Sequence, residues 1–286
     1  MTLEIFLLVF LSSVLHAGWN YLAKTIPSGA PFVWLAAAVM TVVLLPWVAL
    51  YLFWYGFAWT PANLAALALT GLLHLVYFLV LQKGYQVADL SLVYPLARGS
   101  GPVFTTIGAV WLLGEQVTLF PVFGLLLIVI GVLLVSGIFQ STGDPARRQI
   151  GVYYGLTTGL LIALYTVWDG FAVKKMAIAP LLLEFSSNPI RLVLLGPMAW
   201  KRRSEIRALW AGHRWKILAV SLMAPLGFIS VLYAMKMAPI HLVAPTRELS
   251  IVLGVLLGGK LLTEENFRLR LAGSLLIVGG IVFLAQ

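Results

Sequence analysis

His16-Ala17-Gly18-Trp19-Asn20 and Tyr165-Thr166-Val167-Trp168-Asp169 close two apolar stretches about 149 positions apart with the same aromatic and polar pattern. Trp19 falls on Trp168, and Asn20 on Asp169. Farther along, Ala88, Leu92, Val93, Pro95, Ser100, Gly108, Leu112 and Glu115 recur 150 positions later as Ala238, Leu242, Val243, Pro245, Ser250, Gly258, Leu262 and Glu265. The chain therefore reads as a diverged tandem duplication. Polar residues at matched depths in two apolar copies point to a solute path between them.

The 286 residues are 61% hydrophobic and only 10% charged, with a mean hydropathy of +1.00. That is more apolar surface than a water-soluble domain buries, so the chain reads as an integral membrane protein. The net charge of +9 does not imply nucleic acid. Its basic residues cluster beside apolar runs, as in Arg147-Arg148 and Lys201-Arg202-Arg203, which is a topology signal. With no cysteine, thiolate catalysis, disulfides and Cys-based metal sites are excluded. The four histidines lack metal-ligand spacing, so no metal or cofactor is expected. Residues 1–10 contain Glu4 but no Lys or Arg, so the first apolar run reads as a retained helix rather than a cleaved signal.

A helix needs about 20 apolar residues to cross the hydrocarbon. Ten runs qualify: residues 2–22, 32–54, 64–82, 91–113 and 119–139, then 151–173, 179–200, 216–235, 242–261 and 268–285. The expected fold is all-α, with ten transmembrane helices in two five-helix repeats, 1–139 and 151–286, joined by a linker at 140–150. The stretch from Lys201 to Arg214 reads as the long polar loop. Because five is odd, the second copy enters the membrane from the opposite side, so the repeat is inverted. Exchanging the conformations of such halves exposes a central site to each side in turn. The Lys and Arg count places the face holding Lys24, Lys83, Lys201 and Arg207 in the cytoplasm and both termini outside.

The segment from Val93-Tyr94-Pro95-Leu96-Ala97-Arg98-Gly99 to Leu113-Gly114-Glu115, with Gly124 and Gly131 beyond it, resembles helices four and five of EamA-type members of the drug/metabolite transporter superfamily. So does Ala244-Pro245-Thr246-Arg247-Glu248-Leu249-Ser250 through Leu262-Thr263-Glu264-Glu265, with Gly273 and Gly279-Gly280. The resemblance implies a ten-helix secondary carrier of small metabolites with a central cavity, placed in a bacterial inner membrane. It leaves the solute open. Exporters of this type are usually described with cytoplasmic termini, against the Lys and Arg count.

A charge at mid-bilayer costs on the order of 2.5–3.5 kcal/mol on insertion scales, so each one needs a partner, water or a function. Arg191 lies deep in the seventh run and reads either as an anchor for a solute anion or as the structural partner of Glu184. Arg98 and Arg247 hold nearly matched places just after Pro95 and Pro245. Their forked donors suit carboxylate or phosphoryl groups; alternatively Arg98 snorkels and Arg247 pairs with Glu248 or Asp169. Asp169 and Arg247 share a depth and are expected to form a gate. His16, Trp19 and Asn20 give an uncharged counterpart near Arg98, while Trp19 and Trp168 also fit an interfacial belt. Tyr94 is a candidate cavity residue, as are His74, Tyr77 and Tyr233, each of which also fits plain helix packing.

Asp169, Glu184, Glu248 and His16 are the candidates for gating or proton coupling, since a buried carboxyl can hold a proton near neutral pH. Glu115 and Glu265 read as landmarks of helix ends. Arginine outnumbers acid in the expected cavity, so the favoured solute is an amino acid or a small organic or phosphonic acid. An organic-cation efflux carrier and a lipid flippase are the alternatives. No catalytic constellation at workable spacing suggests an enzyme. The expected partners are the solute and the bilayer, not nucleic acid; a monomer suffices and a dimer is compatible with the sequence.

Overall fold

Prolines and glycines punctuate the apolar runs. Pro31, Pro61 and Pro180 sit in the first turns of helices, where a missing N–H costs nothing. Thr60 adds a cap by accepting a hydrogen bond from Asn63 N at 3.2 Å. Gly56 and Gly114 end helices with φ of +67° and +68°, a left-handed turn that glycine makes without strain. The computed structural model describes residues 2–27, 29–88, 90–136, 145–253 and 267–284. Its helices are α1 (Leu3–Lys24), α2 (Ala30–Tyr55), α3 (Pro61–Val87), α4 (Leu90–Leu113), α5 (Leu119–Ser136), α6 (Pro145–Lys174), α7 (Pro180–Lys201), α8 (Arg203–Met237), α9 (Ile240–Thr246) and α10 (Phe267–Leu284). No strand occurs among the described residues.

Among the described residues five segments are long and apolar enough to cross a membrane: Leu3–Ala23, Ala30–Tyr55, Pro61–Leu81, Arg148–Lys174 and Arg203–Met237. Leu119–Val135 and Leu271–Leu284 are shorter apolar helices. Val42, Trp111, Leu119, Val193 and Leu275 lie exposed on the outer surface, as lipid-facing residues do.

Three boundaries differ from the sequence expectation. The supposed loop from Lys201 to Arg214 is mostly helical, because Ile206 and Leu209 find an apolar partner surface in Ile26 and Leu35. The helix kinks at His213 (φ −135°, ψ 16°) before entering the apolar run. α6 starts at Pro145, inside the expected linker. The ninth run is broken: α9 ends at Thr246, Arg247 and Glu248 form a turn, and helix resumes at Leu249. Gly254, Gly258, Leu262, Glu264 and Glu265 lie outside the described residues.

Small residues set the closest contacts, as expected where lipid supplies no hydrophobic drive between helices. α5 packs along α10 with backbones nearly touching. A Cβ on Gly124 would lie 2.5 Å from Gly280 O, and one on Gly131 would lie 2.6 Å from Gly273 O. Low residues of one helix meet high residues of the other, so the pair runs antiparallel. α4 beds into a groove of α6 made by Gly151, Gly155 and Gly159. There a Cβ on Gly155 would come 2.6 Å from Leu96 Cβ, and one on Gly159 3.1 Å from Ala97 O. α1 packs on α8 as α3 does on α6, and α3 meets α7 as α2 meets α8.

Where α1 begins and α6 ends, Ile5, Val9, Val173, Ile178, Leu183, Met235 and Ile240 form the largest apolar cluster. Glu115 locks this end. Gly114 turns the chain out of α4, and Glu115 N returns to Ala109 O at 3.2 Å, aiming the carboxylate at the start of α9. Its Oε1 accepts from Ile240 N at 2.8 Å and Lys174 Nζ at 3.0 Å; its Oε2 accepts from His241 N at 3.1 Å and meets His241 Nδ1 at 2.7 Å. Two orphan amides of α9 are thereby satisfied by an anion, the charge that a helix N-terminus favours. Glu115, expected as a turn landmark, thus joins α4, α6 and α9.

Burial pushes the Glu115 pKa up, but the hydrogen bonds from the His241 side chain, the two backbone amides and Lys174 outweigh it and hold the group down at about 2. A carboxyl depressed on folding stabilises fully above its unfolded value of 4.5, and the contribution fades as pH falls from there towards the folded value. Glu115→Ala is therefore expected to lower the melting temperature in detergent at pH 7, by roughly 1–3 kcal/mol of stability. The gap to wild type should narrow at pH 3; a gap that stays constant would contradict the latch.

Gly131→Ala pushes a methyl group against backbone and is expected to cost about 1–3 kcal/mol. At Gly279 an added Cβ meets nothing within 4 Å, so Gly279→Ala should stay within about 0.5 kcal/mol of wild type. Thermal unfolding of both variants checks this, and equal losses would refute the close approach.

Candidate functional site

The break after α9 has a local cause. Pro245 cannot donate into the helical ladder, and the chain tightens to short turns: Arg247 N bonds Ala244 O at 3.3 Å, Glu248 N bonds Pro245 O at 3.0 Å and Ser250 N bonds Arg247 O at 3.0 Å. Irregular backbone inside a membrane bundle is tolerated where protein or a cavity surrounds it. Here it sets Arg247 and Glu248 opposite Arg98, which the glycine groove of α6 holds in the bundle interior. Arg98 Nη2 lies 3.0 Å from Glu248 Oε2 and donates to Ser250 Oγ at 3.2 Å.

Between them is a small cavity of about 10 Å³, room for about one water molecule, lined by Arg98, Pro102, Thr105, Ile162, Tyr165, Thr166, Ala244, Arg247 and Glu248. Three buried polar atoms on its wall lack a hydrogen-bond partner: Arg98 Nε, Thr166 Oγ1 and Glu248 Oε2. Arg98 and Glu248 are thus close as charges without being aligned as a hydrogen bond. Unpartnered buried groups are costly, and Arg98 Nε and Thr166 Oγ1 on this wall are groups that a polar ligand or water would satisfy. Arg247 rests its guanidinium carbon 5.9 Å from the centroid of Phe228 and forms no ion pair among the described residues. Two arginines against one glutamate leave this wall with a net charge of +1.

A second polar cluster adjoins the first. Asp169, fully buried, accepts from Thr70 Oγ1 at 2.8 Å on Oδ1 and meets His74 Nε2 at 2.8 Å on Oδ2. Thr70 and His74 are one turn apart on α3, so both reach the same carboxylate. Glu184 lies within electrostatic reach of His74, Asp169 and Arg191. The ring of Tyr165 lies 4.3 Å from that of His74 and also lines the cavity.

Of the residues singled out in the sequence, Arg98, Arg247 and Glu248 meet at the cavity. His16 lies within electrostatic reach of both arginines, and Tyr94 within reach of Arg98 and Glu248, but neither lines the cavity. The expected gate between Asp169 and Arg247 does not form. Shared depth is not enough, because Asp169 faces α3 and is satisfied there by Thr70 and His74. Asn20 Nδ2 bonds its own helix at His16 O, 2.8 Å away, and Trp19 packs edge-on against His16. Trp168 Nε1 donates to Ala66 O at 3.3 Å and faces α3. Glu184 and Arg191 face each other along α7 without a direct ion pair among the described residues. Thr70 and Thr105 carry no sequence signal beyond the spacing of Thr70 and His74 on one helical face, while Tyr165 and Thr166 stand in the repeated pattern that ends at Asp169.

Against known proteins, no curated sequence matches the chain. A crystal structure titled only "Crystal structure of protein" matches with a TM-score of 0.76 at 16% identity, covering 99% of this chain and 96% of that one. At that identity the likeness establishes the fold alone. Residues 3–137, within the expected first repeat, match the EamA-like transporter family, which is consistent with the drug/metabolite transporter superfamily.

Proposed function

We propose that the protein is a secondary transporter that carries a small solute bearing a carboxylate or phosphoryl group, an amino acid or a small organic or phosphonic acid, through alternating access of two inverted five-helix repeats. The observation that supports the solute class is Arg247, in no ion pair among the described residues, facing a cavity in which Arg98 is already answered by Glu248. A desolvated guanidinium without an acid partner favours an anion by forked hydrogen bonds. A cation carrier would need the reverse, an acid without a neighbouring arginine, whereas Glu248 has one at 3.0 Å.

The exchange-symmetric packing supports the inverted repeat. Gly124 and Gly131 correspond to Gly273 and Gly280, and the contacts cross over: Gly124 with Gly280 and Gly131 with Gly273. A two-fold axis between α5 and α10 makes that pattern. The paired packing of α1 on α8 with α3 on α6 fits the same axis. In such a bundle the two halves exchange shapes around the cavity, so that opening on one side accompanies closure on the other.

Uptake of a panel of radiolabelled amino acids, organic acids and organic cations into liposomes holding the purified protein tests this reading. Anionic or zwitterionic solutes should be carried, and Arg247→Ala should reduce their uptake at least tenfold. Organic cations carried equally by wild type and Arg247→Ala, with anions ignored, would overturn it.

A further inference from the structure

The segment that joins α7 to the apolar part of α8 takes no part in the cavity, and its composition is lopsided. Residues 201–216 hold six basic side chains against one acid, Glu205. That acid is answered locally, its Oε2 lying 2.8 Å from Arg202 Nε and 2.6 Å from Arg202 Nη2. Lys216 Nζ donates to Thr25 Oγ1 at 2.8 Å. Lys201, Arg203, Arg207 and Arg214 stand exposed and in no ion pair among the described residues. Charges that only mark orientation can sit anywhere in a loop. Here most of them are mounted on a helix whose other face, Ile206 and Leu209, is fastened to Ile26 and Leu35. Arg203 and Arg207 are one turn apart and project together.

Tryptophan fixes the depth of this helix. Trp200 closes the apolar run of α7 and Trp215 opens that of α8, and they are 74% and 72% exposed, with Trp210 exposed between them. The guanidinium carbon of Arg203 lies 5.6 Å from the Trp200 ring centroid, and that of Arg214 lies 5.5 Å from the Trp215 centroid. Exposed indoles at the ends of apolar spans sit at the level of lipid headgroups. A helix with one apolar face, basic side chains and tryptophan lies in that plane. A nucleic acid or an acidic protein would meet the arginines and leave the indoles without an apolar neighbour. A phospholipid offers phosphate at the height of the guanidiniums and acyl chain beside the indoles.

We propose that this face binds anionic phospholipid, with headgroup phosphate held by forked hydrogen bonds from Arg203 and Arg207 and the upper acyl chains against Trp200 and Trp215. A zwitterionic headgroup brings its own cation to the phosphate, so a headgroup of net negative charge is preferred. Ile206, Leu209 and Lys216 tie the segment to the turn between α1 and α2 and to the start of α2, so a lipid bound here braces α7 and α8 against that turn. The proposal is independent of the solute that the cavity takes.

The chain has no cysteine, so one introduced cysteine carries a fluorophore without background. Gly212 is exposed, and an added Cβ there meets nothing within 4 Å, so Gly212→Cys sets the label in the patch. Ala62→Cys, at an exposed position at the start of α3, sets it at the other end of the bundle. The full chain is placed in nanodiscs of phosphatidylcholine and phosphatidylglycerol at one fixed composition, with a quenching nitroxide high on the acyl chain of one lipid or the other. At Gly212→Cys and low salt, labelled phosphatidylglycerol should quench roughly twofold more than labelled phosphatidylcholine. The ratio should fall towards one in high salt and when Arg203→Gln and Arg207→Gln are added. At Ala62→Cys it should stay at one throughout. Equal quenching by the two lipids at Gly212→Cys with both arginines intact would overturn the proposal and leave the patch to a soluble polyanion. A preference that survives high salt or loss of both arginines, or that is as strong at Ala62→Cys, would overturn it too. The salt and Ala62→Cys arms keep both arginines, so they decide the matter even if the double arginine variant fails to fold.

Discussion

A charge enclosed in a membrane bundle must be answered by another group within reach, and the interior of this protein is arranged around that requirement. Arg98 is answered by Glu248 and Ser250, and Asp169 by His74 and Thr70. Once those pairs are made, Arg247 is left in no ion pair among the described residues, beside a small cavity on whose wall Arg98 Nε and Thr166 Oγ1 have no hydrogen-bond partner. The functional reading follows from what the pairing leaves over. The broken backbone at Arg247 and Glu248 belongs to the same arrangement, since it sets Glu248 against Arg98 of α4 and Arg247 over Phe228 of α8.

Glycine makes the pairing geometry attainable. Gly151, Gly155 and Gly159 let α4 press into α6, which brings Arg98 level with Tyr165 and Thr166. Gly124, Gly131, Gly273 and Gly280 do the same for α5 and α10, fixing the middle of the chain to its last described helix. With no difference in apolarity between lipid tails and leucine, shape at these contacts supplies what burial supplies in water. At one end of the bundle the Glu115 carboxylate adds a polar lock from α4 to α6 and α9, over the densest apolar cluster. An opening at that end would have to part Glu115 from the start of α9.

Much of the site was legible one residue at a time. Arg98, Arg247, Glu248 and Asp169 stand out because a charge in an apolar run is rare and needs a reason. Their partners were not legible. Depth along a helix follows from counting residues, but direction around it depends on which neighbour packs there. Hence Asp169 and Arg247 share a depth and still do not meet. His74 looked like one of several packing residues until α3 was seen to lie against α6. The helix at Arg203 to Gly212 escaped notice for the converse reason: its composition is polar, and only the surface of Ile26 and Leu35 gives Ile206 and Leu209 something to cover.

The sequence by itself determined that the chain is helical and apolar, because hydropathy and proline and glycine punctuation act locally and survive in a linear reading. It also determined which charges would need an answer. Which groups answer them, where the ninth run breaks and how two polar clusters come to share Tyr165 were decided only in the tertiary structure. Those outcomes depend on the rotation of each helix against its neighbours, and that rotation is set by close contacts between residues far apart in the chain.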